Sequence, residues 1–245
     1  MTTGRVRGGF NQYGFTVGIL MLDTHFPRIP GDMGNAATFP FPVRYQRVSG
    51  ADSDLVVRRG AAGLLPAFIE GARALEGEGV GAITTNCGFL AKFQADLAAA
   101  VRVPVFTSAL MLVPLVHRML GPGRAVGLLT VNASSLTAEH LAGAGIAPDT
   151  PLVVAGMETE KEFTRVLLGD EMELDVDLAR DEHLRVARRL VSDHPAIGAI
   201  VLECTNMPPY AADVRRVTGL PVFDITSLVR MVHDALAAGL PPRGV

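Results

Sequence analysis

The sequence predicts an α/β protein of two pseudo-symmetric lobes, each a parallel sheet flanked by helices, with an active site in the cleft between them. Two observations predict this class. Short runs of β-branched residues alternate with longer stretches of helical spacing along the 245 residues. The sequence also contains an internal repeat, and each copy carries one of the only two cysteines.

The repeat aligns residues 80–106 with residues 197–223 at a shift of 117 positions, without a gap and with nine identities in 27 positions. Cys87 falls on Cys204 in this alignment, and the segments that follow end in the same Pro-Val-Phe. We therefore expect two related halves whose cysteines occupy equivalent places and serve one site.

The first half begins with an apolar run that predicts a strand, followed by an Ala/Leu-rich stretch with helical spacing. The expected strands are 15–22, 80–85 and 103–106, and the expected helices are 60–75, 90–100 and 109–120.

The break at Gly121-Pro122-Gly123 opens the second half, where residues 124–131 repeat the character of the first strand. The expected strands are 124–131, 152–155, 199–202 and 222–223, and the expected helices are 135–144, 178–192, 211–217 and 227–238. We expect the last helix to return to the first lobe, which gives lobes of residues 1–108 plus 222–245 and of residues 109–221.

Polar residues and cysteines follow the predicted strands where each strand ends. Ligands of parallel sheets bind beyond the carboxyl ends of the strands, so these residues are candidates for one cleft. Alternation along the strand is expected to point Glu203 away from its neighbour Cys204, so Glu203 is not counted as catalytic. The candidate substrate-binding residues are Asp23, Thr85, Asn86, Asn132, Thr205 and Asn206, each of which is also suited to capping the following turn or helix.

Two thiols on opposite faces of one carbon can exchange a proton without a cofactor, because one thiolate removes the proton and the opposite thiol returns one. A thiol with an ordinary pKa of about 8.5 reaches both protonation states near neutral pH. We expect the helix start after each cysteine to favour the thiolate. The Pro- and Gly-containing loop 24–43 begins at the cleft, which is consistent with a lid. Arg28 and Arg44 are interpreted first as solvated surface arginines, and the alternative is that one of them reaches an anionic substrate group.

Charge and composition narrow the class of partners. The net charge of -3 gives no reason to expect nucleic acid or an anionic membrane, and no apolar run approaches the length of a membrane span. With no secretory pattern at the first residues, we expect a cytoplasmic protein.

The two cysteines lack zinc-binding spacing, so no metal is expected. The expected partners are a small carboxylate substrate and further copies of the chain in a homo-oligomer.

The segments around Asp23-Thr24, TNC at Cys87, VNAS at Asn132 and ECTN at Cys204 resemble the cofactor-independent aspartate/glutamate racemase superfamily over most of the chain. This resemblance implies that Cys87 and Cys204 form the acid/base pair of an isomerase that racemises an amino acid or a related acid. Gly88-Phe89 after Cys87 departs from the amino-acid racemases, and Cys-Thr-Asn is similar to the maleate-isomerase branch.

Two other functions stay open at this point. One is a maleate-type cis–trans isomerase or a decarboxylase that uses one cysteine as a nucleophile. The other is a bilobal small-molecule-binding protein or a thiol redox sensor, for which paired cysteines would form a reversible disulfide.

Overall fold

Two parallel sheets of four strands each form the framework of the computed structural model, which describes residues 8–237. The elements of the first half, in chain order, are β1 (Val17–Leu22), β2 (Val43–Val48), α1 (Ser53–Val57), α2 (Leu65–Gly77), β3 (Ala82–Thr85), α3 (Gln94–Ala100), β4 (Val105–Phe106) and α4 (Leu112–Met119).

The second half repeats this plan. Its elements are β5 (Ala125–Thr130), α5 (Ala138–Gly143), β6 (Leu152–Gly156), α6 (Phe163–Gly169), α7 (Val176–Asp193), β7 (Ile197–Leu202), α8 (Ala211–Thr218), β8 (Val222–Phe223) and α9 (Ile225–Ala237). The sheet orders are β2-β1-β3-β4 and β6-β5-β7-β8, so each strand of one sheet has its counterpart at the same place in the other. The predicted fold class is confirmed.

The central strands β1 and β5 are apolar, apart from Thr130 at the end of β5, and almost fully buried, as expected for parallel strands that are covered by helices on both faces. The edge strand β2 was not predicted. Its sequence, VRYQRV, carries two arginines and is only partly buried, because an edge strand of the sheet lies largely at the surface. The short helices α1 and α6, of five and seven residues, were also not predicted.

Helix α2 begins five residues later than expected because the backbone before it cannot be helical. Gly60, Ala61 and Gly63 adopt positive φ angles of 62°, 54° and 75°, and Pro66 then lies in the first turn. Residues 88–93, of which 90–93 were expected to open the helix that ends at 100, form a 3₁₀ segment instead, and α3 starts at Gln94. These turns shape the loops around the site.

Helix α9 contacts β1 of the first sheet, and Leu236 packs near Gly81. The predicted end of this helix at residue 238 and the outermost parts of the predicted lobes, residues 1–7 and 238–245, lie outside the described residues. The division into lobes of residues 1–108 plus 222–245 and of residues 109–221 stays a prediction. Among the helices within residues 8–237, none combines the length and apolar character that crossing a lipid bilayer requires.

Candidate active site

Both cysteines lie on the wall of one cavity between the two halves of the molecule. Cys87 follows β3 and begins the 3₁₀ segment Gly88–Phe93, and Cys204 follows β7. The cavity has a volume of about 20 Å³, which is room for about one water molecule. Its wall consists of Leu22, Phe26, Arg28, Ser53, Val57, Asn86, Cys87, Gly88, Phe89, Val131, Leu167, Leu168, Glu203, Cys204 and Asn206.

The surroundings of Cys87 raise its pKa to about 12, chiefly because burial disfavours the thiolate and then because the Glu203 carboxylate repels it. The Phe89 amide and the Arg28 charge act in the opposite direction. The amide at the helix start favours the thiolate, as expected, but desolvation outweighs it and the net pKa of Cys87 is raised.

Cys204 is 8% exposed, and burial followed by the Glu203 charge raises its pKa well above the usual value. Its Sγ donates a hydrogen bond to Asn206 Oδ1 at 3.4 Å. The Asn206 amide group in turn donates to the buried Asp32 carboxylate. This chain of contacts holds Cys204 as a thiol.

Glu203, which was expected to point away from Cys204, also lines the cavity. This residue is 0% exposed, and its Oε2 accepts a hydrogen bond from Thr130 Oγ1 at 2.7 Å. The other oxygen, Oε1, is buried without a hydrogen-bond partner in the described part of the chain. Burial raises the pKa of Glu203 to about 7, while the bond from Thr130 lowers it. Strand alternation misjudged the side chain because β7 ends at Leu202, one residue earlier.

The loop after β1 brings one cation to the cavity wall. The guanidinium of Arg28 bonds Asp32 Oδ1 at 2.9 Å and Thr24 Oγ1 at 2.8 Å, and it lies 4.5 Å from the centre of the Phe26 ring. Arg44, the other arginine considered for the cleft, forms a partly exposed ion pair with Glu78 and does not line this cavity, as the surface interpretation predicts.

The predicted binding residues divide into three pairs. Asn86 and Asn206 line the cavity. Thr85 and Thr205 do not line it but hold the backbone of the cysteine loops, since Thr85 donates to the Cys87 and Thr107 carbonyls and Thr205 donates to that of Asn86.

The third pair, Asp23 and Asn132, also does not line the cavity. Asp23 bonds Arg47 and the Gly50 amide, each at 3.3 Å, and Asn132 caps the turn that reaches Ser135. The substrate-binding role predicted for these two residues stays a prediction.

A contact between the two halves lies next to the cavity wall. Asp170, at the end of α6, accepts hydrogen bonds from the His25 amide at 2.6 Å, the Phe26 amide at 3.1 Å and His25 Nδ1 at 2.9 Å. Burial raises the pKa of Asp170, but the bonds from His25 and Phe26 outweigh it and the net direction is downward. Phe26 and the α6 residues Leu167 and Leu168 line the same cavity as the two thiols, so this contact joins two parts of its wall.

The family model described as Asp/Glu/Hydantoin racemase matches residues 57–231. A dimethylsulfoniopropionate lyase of Durusdinium sp. clade D is 32% identical over 85% of this chain and 71% of that protein. Dimethylsulfoniopropionate lyase 6 of Emiliania huxleyi is 34% identical over 85% of this chain, which spans only 56% of that relative's length.

Among solved structures, allantoin racemase from Klebsiella pneumoniae has the same fold, with a TM-score of 0.59 at 21% identity over 91% of this chain and 89% of that one. The family match, the repeated parallel sheets and the pair of cysteines at equivalent strand ends agree with one another. The chain belongs to the Asp/Glu/hydantoin racemase family.

Proposed function

We propose that this protein is a lyase that removes a β-substituent from a small carboxylate, with dimethylsulfoniopropionate as its substrate. The observation that carries the proposal is that two thiols line one cavity in unlike surroundings, Cys87 beside Arg28 and Cys204 donating to Asn206. Elimination needs one base next to the α-carbon, whereas racemisation needs two comparable ones. Relatives that carry the name of this lyase match most of the chain.

Arg28 is the group that binds the substrate carboxylate. It is the cation of the cavity wall, and a planar guanidinium suits the two oxygens of a carboxylate. Its own position is fixed by Asp32 and Thr24, so it does not reorganise when the substrate enters. Charge that develops on the carboxylate as the α-proton leaves is stabilised by the same cation.

Cys87 is the base in this scheme. One backbone amide favours the thiolate of each cysteine, Phe89 for Cys87 and Asn206 for Cys204, but the Arg28 charge also favours that of Cys87 whereas the Asp32 charge disfavours that of Cys204. The Cys87 thiolate takes the α-proton, so an S–H bond forms as a C–H bond breaks. The C–H electron pair becomes the α,β double bond. The β-carbon–sulfur bond breaks, and its electron pair leaves with dimethyl sulfide.

The products of this step are acrylate, dimethyl sulfide and the Cys87 thiol, which returns its proton to solvent. The leaving group is neutral and needs no proton, so Cys204 is free to stay a thiol and donate a hydrogen bond. A substrate sulfonium in the cavity also favours the thiolate of Cys87, because an opposite charge in a desolvated site lowers a thiol pKa.

Racemisation is the second candidate, because the matched family model is that of racemases and both thiols line one cavity. In that reaction one thiolate removes the α-proton and the opposite thiol returns a proton to the other face. Incubation of amino acids and hydantoins in D₂O tests it, since racemisation places deuterium on the α-carbon of recovered substrate.

The proposed lyase activity is tested by incubating the protein with dimethylsulfoniopropionate and measuring dimethyl sulfide in the headspace. We expect release by the wild type and a rate that rises with pH above 7, because burial raises the pKa of Cys87 to about 12. Absence of dimethyl sulfide at every pH, with deuterium exchange into an amino acid or hydantoin, would assign the site to racemisation.

A further inference from the structure

The Glu203 carboxylate is buried in the cavity wall with half of its hydrogen-bonding capacity unused. Thr130 donates to Oε2, while Oε1 has no partner among residues 8–237. A buried carboxylate without a partner is costly, so a structure retains one where a ligand or a proton satisfies it. The proton-transfer scheme above gives Glu203 no role.

The two charged groups of the cavity wall differ in how they are satisfied. Arg28 already has its acidic partner, because Asp32 lies 2.9 Å from its guanidinium. No basic side chain of the described residues pairs with Glu203 in an ion pair. The cavity therefore offers a cation at one place and an unpaired acid at another, which is the complement of a zwitterion.

Gly88, directly after Cys87, leaves the space that this carboxylate occupies. A β-carbon at residue 88 would overlap the Glu203 carboxylate and lie 2.6 Å from the Glu203 carbonyl oxygen. Phe89 and the apolar residues Val131 and Leu168 complete the same wall. An acid set among aromatic and apolar side chains suits an onium group, whose charge is covered by methyl groups.

We propose that Glu203 binds the cationic β-substituent of the substrate and restricts the site to carboxylates that carry an onium group on the β-carbon. The inference rests on the proposed function, for which it names the substrate class. Arg28 takes the carboxylate and Glu203 takes the onium group, so the two ends of the zwitterion fix the α-carbon between them at the thiols. A carboxylate of the same shape whose β-substituent is uncharged leaves Glu203 unsatisfied and is rejected.

Two ligands of the same shape, compared for binding, test this directly. In 3-(trimethylammonio)propionate the terminal group is a cation, and in 4,4-dimethylpentanoate a carbon replaces the nitrogen and the cation is lost. Their dissociation constants are measured by calorimetry with the wild type and with Glu203→Gln. We expect the wild type to prefer the ligand with the onium group at least tenfold, and we expect the preference to disappear in Glu203→Gln while 4,4-dimethylpentanoate binds as before.

Glu160→Gln is the matched control, because it removes an acidic charge that is paired with Arg185 and does not line the cavity. We expect it to keep the wild-type preference. Equal binding of the two ligands by the wild type overturns the proposal without any variant, so it stays testable if Glu203→Gln does not fold. An undiminished preference in folded Glu203→Gln also overturns it.

The ligand-binding experiment and the lyase assay can fail independently of each other. Dimethyl sulfide release without a preference for the ligand with the onium group rejects the role of Glu203 and keeps the lyase. A preference that depends on Glu203, without dimethyl sulfide release, keeps the onium site and rejects dimethylsulfoniopropionate cleavage.

Discussion

The two cysteine loops share a backbone plan but not their side chains. The residue before each cysteine donates its amide to the central strand of its own sheet, Asn86 to the Leu20 carbonyl at 2.9 Å and Glu203 to that of Leu129 at 2.8 Å. Asn86 then uses its side-chain oxygen to accept from the Leu22 amide at 2.7 Å. Glu203, at the equivalent position, brings a carboxylate into the cavity wall.

This difference teaches that the repeat determines the backbone geometry of the site, while the side chains beside each cysteine determine its surroundings. The repeated strands put both thiols on the wall of one cavity. The neighbouring groups then make the thiols unequal, because Arg28 favours ionisation of Cys87 and Asp32 disfavours that of Cys204. Two unequal thiols suit an elimination, because an elimination removes one proton from the α-carbon and returns none to it.

The largest expected effect comes from replacing each cysteine with serine. Cys87→Ser removes the base, and we expect kcat for dimethyl sulfide release to fall about 1000-fold, within the range for loss of general-base catalysis. Cys204→Ser keeps a hydroxyl that donates to Asn206, so we expect a fall of no more than about tenfold, which is the effect of losing one whole moderate hydrogen bond. Equal loss in both variants would contradict the inequality and favour racemase-like use of the pair.

The next effect concerns the close approach of Gly88 to Glu203. Gly88→Ala forces the carboxylate or the loop to move, and we expect it to lower the free energy of unfolding by about 1–3 kcal/mol, as overpacking does. Gly77→Ala is the control, because a β-carbon there meets nothing within 4 Å. Urea denaturation of both variants measures the difference, and equal midpoints would show that the two loops are not packed as described.

Arg28→Lys tests how the cavity binds the substrate carboxylate. The charge remains but the two-pronged geometry is lost, so we expect KM for dimethylsulfoniopropionate to rise about tenfold with a smaller change in kcat. Arg44→Lys is the matched control, since Arg44 pairs with Glu78 and does not line the cavity. A similar KM in both variants would place the carboxylate elsewhere.

The smallest expected effect is in the contact of His25 and Phe26 with Asp170. A cavity of about 20 Å³ is too small for a substrate, so we expect this contact to separate when one enters. Asp170→Asn keeps a residue that tolerates the φ of 51° and removes the charge. We expect the His25 and Phe26 amides to exchange hydrogen several-fold faster in this variant, with a cost of about 1 kcal/mol or less.

The pH dependence of this contact has a defined sign. The pKa of Asp170 is lowered in the folded protein, so its contribution to stability is complete above the unfolded pKa and is lost as pH falls through the folded value. We expect acidification from pH 6 to pH 3 to reduce the protection of these two amides in the wild type, relative to intrinsic exchange, and not in Asp170→Asn. Unchanged protection in the wild type would exclude Asp170 as the group that holds this contact together.

The sheets and the pairing of the cysteines were predictable because they depend on signals that act over short distances. Apolar runs mark β1 and β5, and a repeat that aligns Cys87 with Cys204 places both at equivalent strand ends. Arg28 was a weaker prediction, since surface arginines have the same sequence appearance.

Glu203 was missed because its direction depends on where β7 ends, and a shift of one residue reverses the face. The available signal was the repeat itself, which aligns an acid with Asn86 at a buried strand end. The unequal surroundings of the two thiols were beyond the sequence, because they come from contacts between distant segments such as Asn206 with Asp32.

The central claim is that the paired thiols of this site carry out an elimination. Proton NMR of the wild type with dimethylsulfoniopropionate in D₂O tests it most directly, because it observes both the product and the α-carbon of remaining substrate. The account predicts equal amounts of acrylate and dimethyl sulfide, with their formation abolished in Cys87→Ser. Deuterium entering the α-carbon of intact substrate without acrylate, or no change in the spectrum at all, would contradict it.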